Sequence, residues 1–162
     1  MLAVLHRNQE PGIEIVGVEQ PFDVPLIDLD TGEVLDRALV GTLDLIERDG
    51  EGRVVVVDLK TSARKYTSLQ TEASLQLSVY SYATAMNGLA DQEDLRLRFD
   101  VLTKTKQPEL CRYCTQRDRA ASLRLFRLVA EVLYAIEAGV FHPNPGWQCK
   151  DCPFRSQCWA WR

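Results

Sequence analysis

A mixed α/β fold, α+β in arrangement, is what this sequence predicts: a central mixed β-sheet flanked by helices, with a cysteine-rich C-terminal tail. Three observations predict it. Short β-rich runs fill residues 13–59, the hydrophobic period lengthens to helical spacing near Ser68, and strands and a helix alternate once more before the tail. The chain's 162 residues are 46% hydrophobic and 26% charged, enough to bury one core and far from the composition of disordered, collagen-like or coiled-coil chains.

Taken in order, Ile13 to Val18 and Phe22 to Ile27 are expected as two short strands. Pro21 and Pro25 punctuate them, and Asp30-Thr-Gly-Glu33 is the expected turn beyond. Val40 to Glu47 and Arg53 to Leu59 flank Arg48-Asp-Gly-Glu-Gly52 and read as a hairpin. The run Val54-Val-Val-Val-Asp-Leu59 is apolar on both faces, as in a central strand covered on both sides. From Ser68 to Asn87, Leu69, Ala73, Leu77, Tyr80 and Thr84 recur at helical spacing, and Gly88 marks the stop. Leu95, Leu97, Phe99 and Val101 alternate with Arg96, Arg98 and Asp100, predicting a half-exposed strand, and another short strand is expected after Pro108. Asp118 is placed to cap a helix to Ala138, with Leu125, Leu128, Val129, Val132, Leu133 and Ile136 inward and Gly139 after it. The tail from Phe141 is expected to be irregular.

The net charge of −4 hides an asymmetry: residues 1–59 carry 4 basic and 13 acidic side chains, residues 60–162 carry 15 and 10. A basic face on an acidic protein and two ordinary solvated surfaces both account for it. No apolar run approaches the roughly 18 residues of a membrane helix, and Met1 to Arg7 does not read as a secretion signal, so the expectation is a cytoplasmic protein without a membrane partner. All five cysteines lie at 111, 114, 149, 152 and 158; an odd, clustered set argues for metal or cluster ligation over disulfides.

Two carboxylates interrupt the valine-rich hairpin. Asp58 and Lys60 share a face of one strand, and simple pairing about the turn sets Asp44 near Asp58. Like charges there repel unless a cation lies between them, and Mg²⁺ or Mn²⁺ is the natural occupant. A surface ion pair between Asp58 and Lys60 is the plain alternative. Gln76 and Tyr80 stand one helical turn apart, and a buried Gln needs partners that an active-site carboxylate or a DNA phosphate would supply. Cys149-x-x-Cys152 with Cys158 beyond suits a metal or cluster.

Gly41-x-x-Asp44, Asp58-x-Lys60-Thr61 and Gln76-x-x-x-Tyr80 together resemble the PD-(D/E)XK nuclease superfamily, in particular its RecB-like branch with the CRISPR-associated and iron–sulfur exonucleases. The resemblance implies a restriction-endonuclease-like core over 1–140 and a cluster-binding tail over 141–162. It implies a metal-dependent DNA nuclease, exonuclease-like, in repair, recombination or phage- and CRISPR-type DNA processing. A catalytically impaired fold that binds DNA or a protein partner is the alternative. By the same resemblance Asp44, Asp58 and the Leu59 carbonyl hold the metal, with Glu19 nearby. Lys60 is catalytic, and Gln76 and Tyr80 sit by the site and the DNA. Lys104 and Lys106, with Arg64 and Lys65 and joined by Arg112, Arg117 and Arg119, are expected to contact phosphates. Cys149, Cys152 and Cys158 would ligate a [4Fe–4S] cluster, with Zn²⁺ or no metal as alternatives; Cys111 and Cys114, on opposite faces of an extended stretch, read as incidental. A helicase or other partner chain is expected. The family's N-terminal helix with its histidine has no counterpart in this reading, since His6 stands outside any helical pattern.

Overall fold

The computed structural model describes residues 2–8 and 11–160. Five strands form one sheet in the order β1 (Glu14–Ile27), β2 (Val34–Arg48), β3 (Val54–Ser62), β4 (Arg96–Thr103) and β5 (Leu110–Thr115). Only β3 and β4 run parallel; their crossover carries helices α2 (Ser68–Glu72) and α3 (Leu75–Met86). The chain divides into two compact units, Met1–Phe126 and Arg127–Arg162.

Within the first unit, the expected pair of short strands is one continuous β1. Its prolines are tolerated because β1 is the edge of the sheet, where a missing N–H costs no ladder bond on the outer side. Continuity comes with irregularity: the β1–β2 register shifts between Ile15 and Gly17, and Glu19 holds φ at 46°. The expected turn after Leu29 forms, with Asp28 Oδ1 accepting from the amides of Asp30 and Thr31 and Gly32 at φ 77°.

The β2–β3 hairpin is closed by Asp49. Its Oδ1 accepts from the amides of Glu51 and Arg53, and its Oδ2 pairs with Arg53 Nε at 2.9 Å. These bonds hold the Asp49 carboxyl below its ordinary pKa. The ladder then runs from Arg48↔Val54 to Leu45↔Val57 and stops. Before it, β2 passes beneath the Phe22 ring at Gly41, where a Cβ would lie 2.6 Å from Phe22 Cζ. That contact explains a glycine inside a strand: no side chain fits there.

The expected single helix from Ser68 is two helices. Thr67 caps α2 in a reciprocal box with Gln70, and Ser74 restarts the chain by accepting from the Leu77 amide at 3.2 Å. Arg117, almost fully buried, holds the break together. Its guanidinium donates to Thr71 O, Ser74 O, Ser78 Oγ, Thr115 Oγ1 and Gln116 O. α3 packs on the sheet through Leu77, Tyr80 and Ala83. The Tyr82 hydroxyl accepts from the Ile27 amide at 2.8 Å and donates to Pro25 O at 2.9 Å.

The strand expected to be half exposed is buried along nearly its whole length. Arg98 donates to Glu47 at 2.8 Å and to Asp100 at 2.7 Å, and Arg112 reaches Asp100 at 3.5 Å. Mutual neutralisation lets the charged residues of β4 leave water, which alternation alone does not reveal. This network lies on the face of the sheet opposite Asp58, in a cavity also lined by Leu5, Ile15 and Leu59. The N-terminus corrects another expectation: Leu2–Arg7 is a short helix, α1, and His6 is within it.

α4 spans Arg119–Glu137, with Asp118 Oδ1 accepting from the Ala121 amide at 2.8 Å as expected of a cap. Of the residues expected inward, Leu125 is buried, joined by Ala121, Ser122 and Phe126; Leu128, Val132 and Ile136 are about half exposed. Within the second unit, Gly139 ends α4 at φ 68° while the Val140 amide donates to Ala135 O. The tail is less irregular than expected: a 3₁₀ turn, Trp147–Asp151, precedes α5, Arg155–Ala160.

Candidate active site

The four-valine run of β3 is buried, and it ends in Asp58, which has no solvent exposure at all. Beyond Val57 the β2–β3 ladder stops, and one more step of its register sets Asp44 opposite Asp58. Two carboxylates thus emerge from neighbouring strands where the strands part. Asp44 is fixed at both oxygens: Oδ2 accepts from the Leu59 amide at 3.1 Å, and Oδ1 from the Tyr80 hydroxyl at 3.3 Å. Tyr80 is in turn addressed by Gln76, whose Nε2 donates to its hydroxyl at 3.1 Å. The helical spacing of Gln76 and Tyr80 therefore does bring them together, although Gln76 is exposed rather than buried as expected. Leu59 is tied to the site through its amide.

Asp58 is the less satisfied of the pair. Lys60 Nζ stands 2.7 Å from its Oδ2, yet Oδ1 is buried with no donor among the described residues. Burial pushes the Asp58 carboxyl above its ordinary pKa, Lys60 opposes that shift, and the charge of Asp44 adds to it. Burial also raises the Tyr80 phenol, and the charges of Asp44 and Asp58 raise it further, so Tyr80 remains a hydrogen-bond donor at any physiological pH. Lys60 is about two-thirds covered and leans over the Phe99 ring, 6.0 Å from its centroid.

An anionic pocket with an orphaned carboxylate oxygen fits a hard divalent cation. One or two carboxylates, with water and substrate oxygens completing the sphere, are the usual protein share of a Mg²⁺ site. Glu19 lies at the β1 position beside Asp44 in register, but it is exposed and has no hydrogen-bond or ion-pair partner among the described residues. Among those residues no three of His, Cys, Asp or Glu converge well enough to hold a metal ion. Cys149, Cys152 and Cys158, in the second unit, are half-buried thiols that do not form a closed thiolate site, although the Gly146 amide donates to Cys149 Sγ at 3.3 Å. Cys111 and Cys114 both lie in β5, three residues apart and hence on opposite faces.

The expected phosphate contacts sort unequally. Lys104 follows β4 directly, its amide bonded to Ser62 O at 2.7 Å, so the Lys104-Thr-Lys106 turn stands at the C-terminal ends of β3 and β4. Lys104, Lys106 and Arg64 are exposed and have no carboxylate partner among the described residues. Lys65 is neutralised by Glu109 at 2.5 Å, which also raises its pKa. Of the other arginines, Arg112 lies on the opposite face of the sheet, Arg117 is a buried structural group, and Arg119 pairs with Asp30 at 2.9 Å. Sequence reasoning missed Arg117's role, and it gave Gly41 none beyond the motif. A serine cap at Ser74 and a glycine opposite an aromatic strand residue were the available signals.

Comparison with known proteins agrees with this geometry. The family model described as the PD-(D/E)XK nuclease superfamily matches residues 1–159. A candidate exonuclease from Eubacterium rectale superposes with a TM-score of 0.60, at 16% identity over 99% of this chain and 58% of its own. The crystal structure of SSO0001 gives a TM-score of 0.52, at 20% identity over 90% of this chain and 59% of its own. At such identities the likeness is one of fold, and the chain spans under three-fifths of either solved protein. No curated protein matches. The family match over nearly the full length and the strand-end pair of aspartates with its lysine lead to one assignment: the chain belongs to the PD-(D/E)XK nuclease superfamily.

Proposed function

We propose that this chain is a metal-dependent DNA nuclease that hydrolyses phosphodiesters in an exonuclease-like manner. The observation that carries the reading is Asp58: a buried carboxylate with one donorless oxygen, beside Asp44 and Lys60. Burying such a group without a partner is costly, and a bound dication is the simplest reason to keep it. Asp44 and Asp58 would hold Mg²⁺ or Mn²⁺, which when bound neutralises phosphate charge and eases deprotonation of a nearby water.

The chain's own groups have separable tasks. Tyr80 and the Leu59 amide orient Asp44, each occupying one lone pair and leaving the others for the cation. Gln76 holds the Tyr80 hydroxyl in place. The Lys60 ammonium offers a fixed positive charge to the oxygens of the phosphate as negative charge accumulates there. In the reaction a water oxygen bonds to phosphorus, the bridging P–O bond breaks, and the leaving oxygen acquires a proton. A role in repair, recombination or invader DNA processing, and a helicase partner, are compatible with such an activity.

The test is degradation of end-labelled single-stranded and duplex DNA with Mg²⁺ or Mn²⁺ present or chelated. Cleavage should require the cation and fall at least about 100-fold in Asp58→Ala and in Lys60→Ala. Undiminished cleavage by both variants overturns the assignment. Salt-sensitive DNA binding without turnover under any dication would identify the non-cutting alternative.

A further inference from the structure

Beyond Lys60 the same face of the sheet carries three aromatic rings that the hydrolytic groups do not use. Phe99 is core, with 3% exposure, and Lys60 leans on it. Tyr66 meets Phe99 edge-on at 5.6 Å, and Tyr113 lies 6.2 Å from Tyr66 at an interplanar angle of 32°. Tyr66 and Tyr113 are only half-buried, and Tyr113 belongs to β5, the free edge of the sheet. Arg64 stands two residues before Tyr66, and Lys104 and Lys106 lie on the turn whose Lys104 amide is bonded to Ser62 O, four residues before Tyr66. Those three cations have no carboxylate to satisfy them among the described residues, whereas Lys65 has Glu109.

Partly exposed tyrosines, with unpaired cations a few residues away, suit a single nucleic-acid strand: charge for its backbone and π-faces for its bases. Continuity with the active site sets the position. The rings are linked to Asp58 through only Phe99 and Lys60, so a strand with its phosphate at Asp58 brings a neighbouring base to them.

We infer that Tyr66 and Tyr113 form a stacking subsite for an unpaired base adjacent to the phosphate being cut, selecting a single-stranded segment of DNA. A paired base, already stacked in a duplex, has no free face to offer. The inference rests on the proposed nuclease reading but is tested by binding, so the two can fail separately.

The experiment walks a single abasic unit along a fluorescein-labelled single-stranded oligonucleotide and follows binding by anisotropy in the presence of Ca²⁺. For the unaltered chain, one position should weaken binding about tenfold, the scale of one lost base–aromatic stack. Tyr66→Leu and Tyr113→Leu, which retain apolar bulk, should each weaken the intact strand by a similar factor and make the abasic unit silent at that position. Tyr66→Phe, keeping the ring, should bind as the unaltered chain does. Binding indifferent to abasic position, or an abasic penalty that persists in both leucine variants, overturns the subsite. Failure to cut DNA under any dication, with the abasic pattern intact, would overturn the nuclease reading and leave the subsite standing.

Discussion

Replacing Asp58 by asparagine should stabilise the cation-free protein at neutral pH, an unusual outcome for a substitution at the centre of a site. The carboxylate is fully buried, its Oδ1 has no donor among the described residues, and burial raises its pKa above the ordinary 3.8. The sign follows from linkage. Between the unfolded and the raised folded pKa the native state keeps a proton that the unfolded chain has released, so stability falls as pH rises through that window. Above the window the full cost is present. Burying an uncompensated carboxylate costs about 1–3 kcal/mol or more; asparagine removes the charge and its repulsion with Asp44 and keeps an oxygen that can accept from Lys60, although its amide N–H₂ then needs an acceptor of its own. Against this stands the loss of the ion pair with Lys60, buried on the aspartate side and about two-thirds covered on the lysine side, which offsets part of the gain. A net gain of about 1–2 kcal/mol corresponds to a rise in Tm of about 3–6 °C for a chain of this size. The assay is thermal unfolding of both proteins in chelator from pH 4 to 8, the difference cancelling carboxylates remote from Asp58. The advantage of Asp58→Asn should shrink toward pH 4. Saturating Mg²⁺ should then raise the Tm of the unaltered protein and leave the variant unmoved. A variant no more stable than its parent at pH 7 in chelator would refute the reasoning, as would equal stabilisation of both by Mg²⁺.

Two further outcomes test the supports of the site. Arg117→Ala should cost about 3 kcal/mol or more in urea unfolding, because it strands buried acceptors at the α2–α3 break, and Arg117→Lys should recover only part of that loss. Gly41→Ala should cost about 1–3 kcal/mol by driving a methyl group into the Phe22 ring, while Gly50→Ala, with open space around it, should be close to neutral in the same assay.

Much of the sheet was legible because its cues are local. The valine run, the Asp-Gly-Glu-Gly turn and the carboxylate spacing fix β3, the hairpin and the approach of Asp44 to Asp58 without any tertiary information. The pairing of Gln76 with Tyr80 followed from helical spacing alone. What was not legible depends on partners distant in sequence. Arg98 and Asp100 alternate like solvent-facing residues, and Arg112 on the adjacent β5 and Glu47 on β2, one strand further away, make their burial possible. Arg117 carries the same charge as Lys104, but five acceptors gathered from separate segments turn it into a structural peg. The α2–α3 break was hidden because Ser74 sits in an otherwise continuous apolar period. The cysteine triplet had a suggestive spacing, yet spacing does not by itself bring thiols together.

The Asp49 turn lies outside the site, yet it calibrates it. Antiparallel strands count outward from their loop, and side chains alternate with every step, so one residue gained or lost between Asp49 and Gly52 would rotate Asp44 to the far side of its strand and deliver a leucine in its stead. The hairpin could still close, but the proposed metal-holding pair of aspartates would be lost. Length at that loop is therefore a chemical specification, enforced by Asp49, a carboxylate outside the Asp44–Asp58 pair.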